Sequence, residues 1–231
     1  METLVCEGLS KSYGSKLALN RIDLRLEEGR IVGLLGPNGS GKTTLIKLAS
    51  RLLVPSEGRI TICGEEPSEI TKALISYLPD RNFLPDWMNS EELLQMYGDF
   101  FGDFDEVKAL EMLNNLNIDM KMPIKKMSKG TRDKVQLILT MSRHAKLYLL
   151  DEPIAGVDPA SRDYILNTII NNYDEEATVL ISTHLISDVE SVLDEAIFLK
   201  EGEIFLHKNS DELREETGKS IDEYFREVFR C

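Results

Sequence analysis

Cysteine, basic charge and long apolar runs are all in short supply in this chain. Its three cysteines, Cys6, Cys63 and Cys231, stand alone with no C-x-x-C and no paired spacing. That argues against a metal ribbon or a disulfide framework and leaves free thiols as the reading. No apolar run approaches the roughly 18 residues that a membrane helix needs. The opening Met1-Glu2-Thr3-Leu4-Val5 lacks the charged and apolar regions of a signal peptide. A soluble cytoplasmic chain is therefore expected. With 27 Lys and Arg against 40 Asp and Glu, the net charge is -13, which repels phosphodiester backbones and anionic lipid heads. Nucleic acid is not expected as a main partner. What is present is ample: 231 residues, 42% of them hydrophobic, suffice for one domain with a core, or a domain with a sizeable insertion.

The stretch Gly36-Pro37-Asn38-Gly39-Ser40-Gly41-Lys42-Thr43 fits G-x-x-x-x-G-K-[ST]. Such a loop wraps phosphate oxygens with backbone N–H groups, its Lys reaches the outer phosphates and its Ser/Thr hydroxyl serves Mg²⁺. The setting is the required one. Arg30 to Leu35 is an apolar run suited to a buried parallel strand, and Thr44 onward reads as a helix. The helix start aims free N–H groups and a partial positive charge at the phosphates.

Before the loop, Thr3 to Cys6 and Leu17 to Leu26 read as extended, antiparallel strands leading into a central sheet. In the second, Ile22, Leu24 and Leu26 alternate with Asp23, Arg25 and Glu27. Tyr13 falls in a turn between them and admits two readings: a core tyrosine at a strand end, or a flat ring that stacks on a base. After the first helix, Arg59 to Gly64 alternates like a strand, and Ile75 to Pro79 is a further strand that delivers Asp80 to its end. Asp80 is either a plain loop aspartate or a ligand group, since ligands sit at the carboxyl ends of parallel strands.

From Phe83 to about Ala145 the pattern is mostly helical. Ser90 is expected as an N-cap ahead of Leu93, Leu94, Met96 and Tyr97, and Asp105 opens a helix with Val107, Leu110, Leu113 and Leu116 as its apolar positions. Trp87 and Met88 are local core or a docking surface. Ser128 reads as the N-cap of the helix through Val135 and Leu139, and Gly130 permits close approach of a backbone or ligand.

Leu147 to Glu152 is an apolar strand ending in two carboxylates. Charges placed there are costly unless a cation binds. Mg²⁺ suits Asp151, because in phosphate-loop enzymes an aspartate at this place holds the metal together with the loop hydroxyl. Glu152 is then placed to orient or deprotonate a water. Asp158 and Pro159 read as a helix start. Ala177 to Ser182 is a buried strand ending near His184, which can donate to a γ-phosphate oxygen. His144 and His207 have no such setting.

In their order along the chain, these segments resemble the nucleotide-binding subunit of ATP-binding-cassette (ABC) transporters, over nearly the whole sequence. Gly36 to Thr43 resembles the Walker A loop, Tyr77 to Asp80 the Q-loop, Met127 to Thr131 the signature motif, and Leu147 to Glu152 the Walker B strand. Gly156 to Asp158 is similar to the D-loop and His184 to the switch histidine. The resemblance implies an α/β, P-loop NTPase fold with a RecA-like, mostly parallel sheet, an N-terminal antiparallel β-subdomain and a helical insertion. It implies one domain, with residues 1–82 and 146–231 as catalytic core and 83–145 as the helical signature subdomain.

The implied cofactors are ATP and Mg²⁺. Tyr13 and the segment from Gly36 through Thr44, including Pro37, Asn38, Gly39, Ser40 and Gly41, would bind nucleotide. Thr43, Asp80 and Asp151 would serve the metal. Glu152 would act as base, with Lys42 and His184 as further catalytic groups. Two subunits, a second copy or a homologous ATPase, would sandwich two ATP molecules head to tail, with Ser128 and Gly130 completing the opposite site. Two departures stand out: Asp80 replaces the usual glutamine, and Lys129 and Thr131 stand where glycine and glutamine are usual. ATPase activity is expected to survive both. Phe83 to Trp87 lies where the family receives the coupling helix of a transmembrane permease, so a separate membrane subunit is expected. The compact form, ending in the amphipathic run Ile221 to Phe229, looks like exporters of drugs, peptides or lipids. A soluble, non-transport ATPase switch of the same family is the alternative.

Overall fold

The computed structural model describes residues 1–229, and of Ala160 the backbone alone; Cys231 lies outside the described residues. The elements run β1 (Glu2–Tyr13), β2 (Lys16–Glu27), β3 (Ile31–Leu35), α1 (Lys42–Ala49), β4 (Glu57–Ile62), α2 (Glu69–Ala73), β5 (Ile75–Leu78), α3 (Ser90–Phe100) and α4 (Glu106–Asn115). They continue with α5 (Lys129–Met141), β6 (Leu147–Asp151), α6 (Pro159–Asn172), β7 (Thr178–Thr183), α7 (Ile186–Val189), β8 (Glu195–Lys200), β9 (Glu203–Asn209), α8 (Ser210–Thr217) and α9 (Ile221–Val228).

Two sheets result. The larger has the order β5-β6-β7-β3-β8-β9, parallel except for β9, which pairs antiparallel with β8. The smaller is antiparallel, in the order β2-β1-β4. Strand β3 sits inside the large sheet between β7 and β8, and all five of its residues are buried. A strand covered on both faces needs apolar residues on both, which is why its sequence runs without alternation. Its side chains still divide by period 2: Val32 and Leu34 join a core between the two sheets, while Ile31 and Leu35 join the core under α5, α6 and α9. Helix α1 fills the first core with Leu45, Ile46 and Leu48. A third core belongs to the insertion, where Leu93, Leu94 and Tyr97 of α3 meet Ala109 and Leu113 of α4 and Val135 and Ile138 of α5.

Several local expectations change. Tyr13 is the last residue of β1 rather than a turn residue. Asn89, not Ser90, caps α3: its side chain accepts from the Glu92 N–H while Glu92 accepts from the Asn89 N–H. Asn is as good a cap as Ser, and this reciprocal pair selects the earlier residue. Helix α4 docks through Ala109 and Leu113, leaving Val107 and Leu110 exposed; a stripe spaced by four residues is enough for a helix this short. Met88 is core and Trp87 is 72% exposed. The C-terminal amphipathic run forms α9, whose face places Phe225 and Tyr224 at ring-centroid distances of 5.2 and 5.9 Å from Phe198 of β8. Among the described residues, no helix is long and apolar enough to cross a membrane.

Candidate functional site

The loop after β3 is shaped by what its glycines exclude. A Cβ on Gly36 would lie 2.4 Å from the Leu199 carbonyl oxygen, and one on Gly41 would lie 2.7 Å from that of Ala18. Gly41 also has φ of 114°, outside the range of other residues, and serves as the N-cap of α1 without any side-chain cap bond. The first N–H groups of α1 therefore have no side-chain acceptor. Lys42 is buried. Its ammonium donates to the carbonyl oxygens of Gly36 at 2.7 Å and Pro37 at 3.3 Å, and lies 3.3 Å from a Glu152 carboxylate oxygen.

The two acids at the end of β6 are held differently. Asp151 is wholly buried, and its Oδ1 accepts from the hydroxyls of Ser182 at 2.6 Å and Thr43 at 3.1 Å. Its Oδ2 is buried with no hydrogen-bond partner. Burial pushes this carboxyl above the usual range, and the charges of Asp80 and Glu152 push the same way against the two hydroxyls. Glu152 has a left-handed backbone, φ 52°, rare for a residue with a side chain. Its amide donates to both the carbonyl oxygen and the hydroxyl of Ser182, at 3.0 and 3.1 Å. That turn sends its carboxylate back over the loop, where one oxygen meets Lys42 and the other lies 2.9 Å from His184 Nδ1.

Thr43 and Asp151 present hard oxygen donors, one of them a buried carboxylate oxygen without a partner, which fits Mg²⁺. Among the described residues no group of three or more His, Cys, Asp or Glu could hold a metal ion.

A cleft of about 470 Å³ brings together Tyr13, Asn38, Gly39, Gly41, Lys42, Thr43, Thr44, Asp80, Glu152 and His184. Gly36, Pro37 and Ser40 build the loop behind it. Tyr13 is 47% exposed, which removes the reading of a core tyrosine. Lys16, Ala18 and Ala155 also line the cleft; no motif marks them, since they arrive through the β1–β2 hairpin and the turn after Glu152. His144 is exposed near Asp105, and His207 pairs with Glu195 at 2.7 Å; neither lines the cleft.

Ser128 and Gly130 stand elsewhere, at the exposed start of α5. The Ser128 hydroxyl accepts from the Thr131 N–H at 3.1 Å, and Lys129 donates to the Gly156 carbonyl oxygen at 3.3 Å. Nothing lies within 4 Å of where a Gly130 Cβ would be. The chain's own fold therefore leaves that space open. On another face, Leu52, Tyr77, Phe83, Tyr97 and Phe101 line a largely apolar groove of about 440 Å³. The Phe83 N–H donates to the Gln136 side chain of α5 at 2.8 Å, tying the groove to that helix.

The profile of the family described as "ABC transporter" matches residues 19–155. The chain is 32% identical over 215 residues to the lantibiotic transport ATP-binding protein SrtF of Streptococcus pyogenes, covering 90% of this chain and 91% of that one. It is 29% identical over 234 residues to the daunorubicin resistance ATP-binding protein DrrA3 of Streptomyces coeruleorubidus, covering 97% and 74%. The solved structure of an ATP-binding subunit of an ABC transporter superposes with a TM-score of 0.87 at 26% identity, over 99% of this chain and 100% of that one.

Proposed function

The chain belongs to the ABC transporter family as an ATP-binding subunit, and we propose that it hydrolyses ATP at the cleft around Lys42 to drive export through a separate permease. The observation that carries this reading is the convergence of Lys42 and His184 on the two oxygens of Glu152, beside the Thr43–Asp151 pair. Tyr13 offers an exposed ring for the adenine base. The uncapped start of α1 receives the phosphates. Thr43 and Asp151 would hold Mg²⁺, which would supply neutralisation of charge on the outer phosphates. Lys42 turns from Glu152 toward the phosphates, and the released Glu152 carboxylate orients the attacking water and accepts its proton. His184 keeps the other Glu152 oxygen in place and reaches the γ-phosphate. Positioning and charge complementarity supply the rate, as phosphoryl transfer asks little else of a protein.

Ser128 is exposed, Gly130 is half-buried with open space where a Cβ would be, and both are apart from this cleft, so they are free to complete the site of a second subunit, a copy of this chain or a homologous ATPase. The apolar groove beside Phe83 and the exposed Trp87 suits the permease, which would hold the subunit at the inner face of the cell membrane. The words "lantibiotic transport" and "daunorubicin resistance" in the names of two relatives support export as the direction.

Glu152→Gln tests the reading. Steady-state hydrolysis is expected to fall about 10²–10⁴-fold, the range for loss of a general base, with ATP still bound. Turnover equal to that of the wild type would remove Glu152 from the role.

A further inference from the structure

A second cleft, of about 370 Å³, opens between the segment after β5 and the first turns of α5. It adjoins the nucleotide cleft, because Asp80, Glu152 and Ala155 line both. Its cations are Arg81, Lys129 and Arg132. The Arg132 Nε is buried with no hydrogen-bond partner, whereas other partly or fully buried guanidiniums here are paired, Arg143 with Asp103 and Arg162 with Asp188. A buried N–H on a charged group without an acceptor is rare and costs its full desolvation. Arg132 also sits in the first turns of α5, where the helix dipole disfavours positive charge. An anion in the cleft relieves the dipole penalty and, once the guanidinium turns toward it, gives this N–H an acceptor. Lys129, one turn earlier, donates to the Gly156 carbonyl oxygen at 3.3 Å, and its charge, like that of Arg132, acts on the Asp133 carboxyl.

Three carboxylates share the cleft, and two are tempered. Glu152 is engaged by Lys42 and His184, and burial raises the pKa of Asp133 against the opposing charges of Lys129 and Arg132, so its charged form is disfavoured. Asp80 is exposed at the end of β5.

We propose that this second cleft is an oxyanion site that takes inorganic phosphate, with Arg132 as its main ligand and Lys129 as its second, and that it holds the phosphate released beside Glu152. The source of that phosphate rests on the hydrolysis reading above; the cations and the cleft do not.

The test titrates inorganic phosphate into the full chain saturated with Mg²⁺ and ADP, by calorimetry or ³¹P line broadening, for the wild type, Arg132→Gln and Arg132→Lys. Arg132→Gln should weaken phosphate binding about tenfold, as loss of one charged hydrogen bond does. Arg132→Lys, which keeps the charge but not the fork, should fall between. ADP affinity should be the same in all three, which also shows that the variants fold. Phosphate affinity unchanged in Arg132→Gln would overturn the site, as would an equal loss of ADP affinity. A single-turnover assay with a fluorescent phosphate sensor then separates the sources. Faster phosphate release in Arg132→Gln supports a product site, and unchanged release would overturn the product-holding role, leaving a site for free phosphate. A wild type that fails to hydrolyse ATP would sink the ATPase reading, while the titration still decides the site.

Discussion

Helices α1 and α5 both begin beside polar space, and their first turns are built in opposite ways. Helix α1 starts from a glycine with no side-chain cap, behind a loop that Lys42 closes on itself through the carbonyl oxygens of Gly36 and Pro37. Helix α5 starts from Ser128, whose hydroxyl already serves the Thr131 N–H. One end keeps its donors free for a ligand and is buried in the larger fold. The other caps its own backbone, begins at an exposed serine and gathers cations. The contrast teaches that the chain carries one helix start left uncapped by its own side chains and one that is capped from within.

Three changes probe that contrast. The largest effect is expected from Gly41→Ala, since the added methyl group would meet the Ala18 carbonyl at a φ of 114°. Strain of about 1–3 kcal/mol would be relieved only by moving the loop, and nucleotide affinity measured by calorimetry should fall roughly 10–100-fold. A smaller effect is expected from Ser128→Ala. Loss of the cap should lower stability by about 1 kcal/mol in denaturant unfolding. ATP turnover should fall about tenfold while ADP affinity holds, because Ser128 is outside the cleft. Equal loss of ADP affinity would show that the two helix starts are not independent.

The smallest change concerns Asp133 of α5. Burial raises its pKa, so folding favours the protonated form. Stability is therefore lost as pH rises from the ordinary carboxylate range through the raised pKa. Asp133→Asn should melt higher than the wild type at pH 7, with the gap closing toward pH 3. A gap that does not change with pH would mean that the carboxylate is not disfavoured there.

Where local structure follows from consecutive residues, the sequence is informative. Gly36 to Thr43, Asp151 with Glu152, the Ser128 cap and the Asp158–Pro159 helix start all depend on local spacing that the chain displays directly. Where it depends on what a distant strand brings, less could be read. Ser182, which ties the two acids, lies in an apolar run that looks like any buried strand. Lys16 and Ala18 reach the cleft only because β1 and β2 fold back upon each other. Val107 and Leu110 of α4 lie on the apolar stripe yet stay exposed, because periodicity gives a stripe but not how much of it a neighbour covers. The choice of Asn89 over Ser90 turned on a reciprocal bond that either residue could have made.

The Ser182 hydroxyl has a consequence of its own. Its one proton goes to Asp151 and it accepts from the Glu152 amide, so a single oxygen sets the spacing between the two acids at the end of β6. The Lys129 side chain, by contrast, bonds a single backbone carbonyl oxygen, that of Gly156. At residue 182 any change is felt by both acids at once, making it a joint constraint on how this site can diverge.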